Sequence, residues 1–275
     1  MNPCRIALPL LAILPATATI ILAQPPPTPR PAPAIGIELD PKLGAPPPSP
    51  AAPTPPSAAA SPDLPERLPN GDIRLGGITL HRETREISFP ANLQLAFGTL
   101  EVLIARRPEG RLHETLLATD ARPIHLQTLL ILLGLTNGSR LATGGSQPQG
   151  DLLDINVEWQ KPDGTLVREP VENWVRDNRT NAPMKRLGWA FVGTTFTTYQ
   201  DADGTAVTTP DADAEGNLVL TYSSGSTILD SPDPASDDDT LFTVNDGKLP
   251  IPADAPVRVI LTPRPKTTPA PPPAP

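Results

Sequence analysis

The segment Leu112-His-Glu-Thr-Leu-Leu117, followed by Pro123-Ile-His-Leu-Gln-Thr-Leu-Leu-Ile-Leu-Leu-Gly-Leu135, decides the predicted fold. In the second run, a proline suits the first helical turn and Gly134 suits the position just past the last turn. Leucine and isoleucine occupy almost every side of this helix, so the rest of the protein must cover it. The run is too short to cross a bilayer. We therefore expect a buried apolar helix over residues 123–135.

The first run is typical of a strand, and a partner for it precedes it in the chain. Leu100-Glu-Val-Leu-Ile-Ala105 is a second strand-like run. Between the two lies Arg106-Arg-Pro-Glu-Gly110, which is typical of a turn because glycine adopts the left-handed conformation at low cost. The pattern predicts a hairpin that covers the helix.

Further strand-like runs extend this sheet. They cover residues 73–80, 86–89, 154–159, 165–167, 189–192, 195–199, 216–222, 241–244 and 257–262. A short second helix is predicted over residues 171–179. Strands outnumber helices, and hairpin turns imply antiparallel pairing. The predicted fold is α+β and β-rich, with a mostly antiparallel sheet packed on one buried apolar helix.

Proline divides the chain into a globular part and two flanks. Of 40 prolines among 275 residues, 17 lie between residues 24 and 69, but only 10 between residues 70 and 248. Proline fixes φ and removes a backbone donor, so neither helix nor sheet can propagate through the flanks. The sequence predicts a globular domain over residues 70–262, a disordered spacer over residues 24–69 and a disordered tail over residues 263–275.

Residues 1–23 are typical of a secretory signal peptide. Arg5 precedes an apolar run that ends at Ala23, a small residue suited to the position before a cleavage site. Cleavage there would leave Gln24 as the first residue and predicts a periplasmic or secreted protein. Two alternatives stay open, which are cleavage at an earlier pair of alanines and an uncleaved anchor. Only an uncleaved anchor would link the chain to a membrane.

The predicted spacer is long enough to separate the domain from a surface. As an extended polyproline segment at ~3.1 Å per residue, residues 24–69 would reach on the order of 140 Å. That length could carry a domain away from a membrane or through a cell-wall layer. A tolerated disordered tail is the alternative, and the sequence does not separate the two.

Cysteine usage and charge exclude several classes of function. The one cysteine is Cys4, inside the predicted signal peptide, so the mature chain would have no disulfide, thiol catalyst or iron–sulfur cluster. Zinc bound by cysteine is excluded for the same reason. A net charge of −8 gives no electrostatic basis for nucleic-acid binding. We expect no cofactor, although a divalent metal stays possible.

The domain resembles the YdjY-like domain family over about residues 70–262. The resemblance rests on the His-Glu step before the leucine-rich helix and on several later segments. They are Val157-Glu-Trp159, Asn181-Ala-Pro-Met184, Trp189-Ala-Phe-Val-Gly-Thr194, Gly216-Asn-Leu-Val219, and the run from Ile228-Leu-Asp230 to Val244-Asn245. It implies an exported bacterial protein without an established activity. Some members are described as ferredoxin-like, but a domain without cysteine cannot hold such a cluster.

His113, Glu114 and His125 are the candidate ligand-binding residues. His113-Glu114 begins like the zinc motif His-Glu-x-x-His, but residue 117 is leucine, and neighbours on a strand face opposite sides. A metal site could still form from His113, His125 and a carboxylate such as Asp120, if the sheet packs on the helix. The alternative is that His113 or Glu114 satisfies a buried backbone group or caps the helix. The remaining histidine of the domain is His81.

Acidic loops provide the weaker metal candidates Asp201, Asp203, Asp237 and Asp239. Carboxylates at alternate positions beside a glycine resemble the oxygen-ligand loops that bind calcium. The full twelve-residue EF-hand pattern is absent. A solvated acidic loop is the alternative, because runs of charge usually face water.

Nucleophilic catalysis has little support in the sequence. No Gly-x-Ser-x-Gly elbow is present, and Gly144-Gly-Ser146 lacks the Lys-Ser/Thr of a phosphate loop. Trp159, Trp174 and Trp189 could line a carbohydrate or peptide groove. We expect them in the core instead, because aromatic side chains carry large apolar areas.

Two functions follow from these patterns. The first is an exported, non-catalytic envelope or extracellular domain, held on the proline-rich spacer, that binds an unknown cell-envelope or extracellular partner. It rests on the signal peptide, the spacer and the missing catalytic motifs. The alternative is a metal-dependent enzyme that uses His113, Glu114 and His125.

Overall fold

The computed structural model describes residues 63–138 and 149–266. The predicted signal peptide, the predicted spacer up to residue 62 and the predicted tail from residue 267 lie outside the described residues, and the predictions for them stay predictions. The described part begins at Asp63, inside the range that the sequence assigns to the spacer.

Most of the helical and strand residues of the described structure belong to strands. In chain order they are β1 (Glu66–Arg67), β2 (Ile73–Leu75), β3 (Ile78–His81), β4 (Glu86–Leu93), β5 (Val102–Arg106), β6 (Thr115–Thr119), β7 (Leu152–Gln160), β8 (Leu166–Pro170), β9 (Val175–Asp177), β10 (Ala182–Pro183), β11 (Trp189–Phe191), β12 (Phe196–Gln200), β13 (Ala206–Pro210), β14 (Asn217–Leu220), β15 (Leu229–Asp230), β16 (Phe242–Val244) and β17 (Pro256–Pro263). The helices are α1 (Pro123–Leu132) and α2 (Asp211–Glu215), with 3-10 turns at Leu112–Glu114, Val171–Trp174 and Asp246–Lys248.

Eight of the strands close into a barrel. Their order is β4-β17-β7-β11-β15-β14-β5-β6, and β6 pairs with β4 again, so the ring has no free edge. The neighbours β5–β6 and β14–β15 are parallel, and the other six pairs are antiparallel. The predicted α+β fold, with a sheet packed on one helix, is therefore wrong. A closed sheet buries its core inside itself and needs no helix as a second layer.

The remaining strands extend this barrel. Strands β1, β2 and β3 form a meander that continues the sheet from β4, and β8 pairs with β7, which is two strands from β4 in the ring. Strands β10, β9 and β16 form a separate three-stranded sheet, and β12 and β13 form a hairpin. Strand β17 pairs along one edge of β4. On the other edge, β3 pairs with the beginning of β4 and β6 pairs with its end.

Both helices lie over one end of the barrel, which we call the helix end. Helix α1 follows the last residue of β6, and α2 precedes β14, which begins at the end where β6 finishes. Two hydrogen bonds tie α1 to loops at that end. Arg85 donates to the carbonyl of Leu133 over 3.1 Å, and the N–H of Thr194 donates to Gln127 over 2.8 Å. The helix thus closes the barrel instead of lying under a sheet face.

Helix α1 begins at Pro123 and stops before Gly134, as the sequence predicts, although its last residue is Leu132 and not residue 135. Its burial differs from the prediction. Leu126, Leu129 and Leu130 are fully buried and belong to the main core. Ile131 and Leu132 are each 52% exposed, so the helix is not covered on all sides. A helix that rests on the end of a barrel buries one side only.

The predicted hairpin of residues 100–117 is also wrong. The turn exists, since the N–H of Gly110 donates to the carbonyl of Arg106 over 2.8 Å. After it, however, the chain runs back outside the barrel and reverses again at the 3-10 turn before β6, so β5 and β6 are parallel. Leu112 covers a small second apolar cluster on the way. Of the leucines that suggested an antiparallel partner, Leu112 therefore lies in a crossover, while Leu116 and Leu117 are buried residues of β6.

The opposite end of the barrel is covered by the three-stranded sheet. Just before β5 begins, the N–H of Leu100 donates to the carbonyl of Phe242 over 3.0 Å. The core between the two ends contains Trp174, Trp189, Phe89 and Phe191, all at most 1% exposed. All three tryptophans therefore belong to the core, as the sequence predicts, and Trp159 is the most exposed of them at 6%. No helix in residues 63–138 and 149–266 is long and apolar enough to cross a membrane.

Candidate functional site

The structure places the three main candidate residues at two ends of the barrel. His113 lies in the 3-10 turn before β6, at the opposite end, and His125 lies in α1 at the helix end. Strand β6, with five residues, separates them by roughly 16 Å at ~3.3 Å per residue. One ion cannot contact both side chains. Within the described residues, no group of three or more His, Cys, Asp or Glu side chains could hold a metal.

His125 connects α1 to the segment before β1. Its Nε2 lies 3.0 Å from Asp63, whose carboxylate also accepts a 2.6 Å hydrogen bond from Arg122. Burial lowers the pKa of His125, and the hydrogen bond from His125 lowers the pKa of Asp63. Arg122 also binds Asp213 of α2 over 2.6 Å, and Asp213 accepts from the N–H of Ile124. These contacts hold the helices together, which is a structural role.

The weaker acidic candidates lie in two separate loops. Asp201 shapes the turn between β12 and β13, because one of its oxygens accepts from the N–H groups of Asp203 and Thr205 over 3.0 and 2.8 Å. Asp237 and Asp239 are exposed in the loop between β15 and β16. One carboxylate oxygen of Asp201 therefore already accepts two hydrogen bonds from the backbone of its own turn. Asp120, the other carboxylate considered for the metal site, pairs with Arg107 on the surface.

His113 and Glu114 belong to a group of five polar side chains, which we call the Arg111 cluster. The guanidinium of Arg111 donates to Glu101 over 2.6 Å, to Glu114 over 3.2 Å and to the hydroxyl of Tyr222 over 2.6 Å. It also lies over the Tyr222 ring, 5.7 Å from the ring centre. His113 Nε2 is 2.8 Å from Glu114, and its side chain is 75% exposed. Three hydrogen-bond partners thus hold the Arg111 guanidinium in place, while the His113 side chain is open to solvent.

The two glutamates of the Arg111 cluster share one cation. Burial raises the pKa of Glu101, and the neighbouring Glu114 raises it further, while Arg111 opposes both effects. Burial also raises the pKa of Tyr222. Two carboxylates beside one guanidinium leave an excess of negative charge when both are ionised. The cluster can therefore take up a proton or attract a cationic group.

Sequence reasoning found His113 and Glu114 but missed the rest of the cluster. Glu101 comes directly before β5 and Glu114 directly before β6, and their following residues, Val102 and Thr115, are register partners. Because the strands are parallel, both glutamates meet at the same end of the sheet.

A second constellation lies on the outer face of the sheet, in a groove beside β3 and β4. His81 Nε2 is 2.8 Å from the Ser88 hydroxyl, and His81 Nδ1 is 3.0 Å from Asp72. Asp72 and Ser88 are nearly buried, and His81 is partly exposed. We call this place the Asp72 groove. The sequence offered a signal for it, because His81 and Ser88 alternate with the inward residues of two adjacent strands, but their register was needed to join them.

Comparisons with known proteins agree with the resemblance noted in the sequence. The family model described as the YdjY domain matches residues 78–262, from the start of β3 almost to the end of β17. No curated protein and no solved structure matches the chain. The matched range includes the Arg111 cluster, His81 and Ser88, but begins after Asp72. Because the match covers well over half of the chain, the protein belongs to the YdjY domain family.

Proposed function

We propose that the protein is exported and that its barrel binds a cell-envelope or extracellular partner on its outer surface, at the end of a proline-rich spacer. The observation that carries this proposal is the filled barrel. Phe89, Trp189 and Phe191 are at most 1% exposed, and both ends are covered. A barrel whose interior is occupied by side chains binds its ligands outside.

Export is supported by the beginning of the sequence. A positive residue, a short apolar run and a small residue at position 23 are the features of a signal peptide. The proline-rich segment that follows suits a spacer between a surface and a domain.

The Arg111 cluster is the proposed contact site. The first and last described residues both lie at the helix end, since Asp63 contacts α1 and Lys266 pairs with Asp151 before β7 over 3.1 Å. A spacer attached at the helix end leaves the Arg111 cluster, at the opposite end, on the side of the barrel away from the attachment point. The excess of carboxylates in the cluster and the net charge of −8 favour a partner with basic groups.

The alternative, a metal-dependent enzyme using His113, Glu114 and His125, has no observation in its favour. His125 is buried at the helix end, where it pairs with Asp63, and the other two residues lie beyond the length of β6. This alternative is therefore not part of the proposal.

A photo-crosslinking experiment in the native cell tests export and contact together. A photoreactive residue replaces His113, and in a matched control it replaces Tyr199, which is also more than half exposed but lies on the β12–β13 hairpin. We expect a cross-linked product only from position 113, outside the cytoplasm, with a mature N-terminus near Gln24 by mass spectrometry.

Two outcomes would overturn the proposal. An intact Met1 on a cytoplasmic protein would exclude export. Equal cross-linking from positions 113 and 199 would exclude the Arg111 cluster as the contact site.

A further inference from the structure

We propose that Asp72, His81 and Ser88 form a serine-hydrolase site that cleaves short-chain acyl esters of polar alcohols. This activity goes beyond partner binding, lies away from the Arg111 cluster, and departs from the non-catalytic domain that the sequence predicts. It is carried by the geometry of the three side chains and by the groove around them.

The meander of β2, β3 and β4 brings the three residues together. Asp72 precedes β2, His81 ends β3 and Ser88 lies in β4, where its register partner is Thr79. Leu80 and Ile87 point into the core, so their neighbours His81 and Ser88 point outward. The hydroxyl, the imidazole and the carboxylate then follow one another in the order that nucleophilic catalysis requires.

The contacts of Asp72 determine which nitrogen of His81 carries the proton. Asp72 accepts from the N–H of Arg82 over 3.1 Å and from the side chain of Asn70 over 2.9 Å. The Arg82 N–H is the main reason that the pKa of Asp72 lies below its usual value. The carboxylate is therefore an acceptor, so Nδ1 of neutral His81 must donate to it. Nε2 is then the free base that accepts the Ser88 hydroxyl proton.

The groove fits a small, polar substrate without negative charge, because four carboxylates but only two guanidinium groups line it. Its volume is about 290 Å³, near the lower limit of small-molecule sites. Arg168 and Arg258 line it, but each is paired, with Glu86 over 2.7 Å and with Glu158. Ile260, the register partner of Ser88, is the apolar side chain of the lining and suits a short acyl group.

The reaction follows from these positions. Ser88 Oγ attacks the carbonyl carbon of the ester, and its proton passes to His81 Nε2. The tetrahedral adduct collapses, the bond to the alkoxy oxygen breaks, and the leaving alcohol takes the proton from His81. Water then attacks the acyl-serine and gives a proton to His81, which returns it to Ser88 as the carboxylic acid leaves.

Turnover should be slow, because Ser88 lies within a strand. The strand-to-helix elbow of efficient serine hydrolases presents backbone N–H groups to the developing oxyanion. Here the two guanidinium groups that line the groove, those of Arg168 and Arg258, are each already paired with a glutamate. Covalent labelling is therefore a sharper test than steady-state activity.

The test uses the purified full chain with a fluorophosphonate probe and, separately, with p-nitrophenyl acetate. We expect one adduct, and one acetyl group, on Ser88 in peptide mass spectra. Ser88→Ala should remove both, and His81→Gln should slow labelling at least ~100-fold, the lower range for loss of a general base. Ser224→Ala is the matched control, because Ser224 bonds Ser226 and no histidine, and its labelling should equal wild type.

The wild-type protein alone can defeat the proposal. Absence of both the phosphonate and the acetyl group from Ser88 would overturn it, whatever the stability of the variants. Equal labelling rates in wild type and in folded His81→Gln would do the same, since the serine would then react without its base.

Discussion

At the scale of single residues, Arg179 joins two buried carboxylates. Arg179 donates to Asp177 over 2.8 Å and to Asp233 over 2.5 Å, and it lies 5.8 Å from the Phe242 ring centre. Asp177 is 1% and Asp233 6% exposed. The contact connects β9 to the loop after β15. Removing the guanidinium would leave two buried carboxylates without their cation.

We predict that Arg179→Ala lowers the free energy of unfolding by about 3 kcal/mol, the scale for breaking a buried ion pair. Asp120→Asn is the matched control, because it breaks the surface pair with Arg107 in which Asp120 is 83% exposed. Asp120→Asn should lower the free energy of unfolding by less than about 1 kcal/mol. Urea denaturation at pH 7 measures both, and equal losses would contradict the role of Arg179.

The same contact has a defined pH dependence. Arg179 lowers the pKa of Asp177 and of Asp233. In the wild type, this stabilisation is complete above the pKa of aspartate in the unfolded chain, about 3.9. It is lost as the pH falls through the lower pKa values that Asp177 and Asp233 have in the folded protein. In Arg179→Ala the carboxylates prefer the protonated form, so its stability deficit relative to wild type should narrow as the pH falls from 7 toward 4. A deficit that stays constant over this range would contradict the assignment.

At the scale of secondary structure, helix α1 ends as its sequence predicts. The N–H of Leu135 donates to the carbonyl of Leu130 over 3.1 Å, and that of Gly134 to Ile131 over 2.9 Å. This pair of hydrogen bonds is the Schellman motif. It requires the left-handed conformation at Gly134, whose φ is +86°. The glycine is therefore needed for its backbone and not for space.

We predict that Gly134→Ala lowers the free energy of unfolding by about 1 kcal/mol, the cost of placing an L-residue in the left-handed region. An added Cβ meets no atom within 4 Å at Gly134, so a clash does not contribute. Gly77→Ala is the matched control, because its Cβ would also be free and its φ is not in the left-handed region. Thermal or urea unfolding compares the two, and equal destabilisation would rule out the conformational cause.

Many of the strands could be predicted from the sequence, but their partners could not. The helix predicted over residues 171–179 is wrong, because this segment is a 3-10 turn followed by β9. The runs at residues 154–159 and 257–262 became β7 and β17, and Lys161–Gly164 became the turn before β8. Alternation and turn residues are local, so they identify a strand and its buried face. Barrel closure depends on β4 with β6 and on β14 with β15, and no local pattern encodes those pairings.

The candidate sites show the same limit. Glu114 was recognised by its neighbour His113. The arginine that binds it, Arg111, also binds Tyr222, which is 111 residues away in the chain. The Asp72 groove is made of consecutive strands and is closer to prediction, since Asp72 and Ser88 are only 16 positions apart. A search for the Gly-x-Ser-x-Gly elbow passes over it, because here the serine is presented by the outer face of a strand and not by a turn.

At the scale of the whole molecule, the proline-rich flanks and the barrel should respond differently to trypsin. Lys42 precedes leucine and Lys266 precedes threonine, so both bonds can be cut, while Arg67 lies in β1, paired with Ile73 of β2. Flanks this rich in proline cannot compensate the entropy of folding by apolar burial, so we expect them to be cut first.

The expected early termini are Leu43 and Lys266, identified by mass spectrometry, with the bond after Arg67 intact. Protection of the bond after Arg67 from trypsin depends on the contact of Asp63 with Arg122 and His125, because this contact holds the segment before β1 against α1. Asp63→Ala should therefore speed cleavage after Arg67 and leave the rate of cleavage after Lys42 unchanged. The bond after Lys42 is thus the internal control in the same protein. Cleavage after Arg67 before Lys42 in the wild type would mean that the folded unit begins later than β1. Retention of residues 24–42 while bonds inside β4–β7 are cut would mean that the flank, and not the barrel, is the protected part.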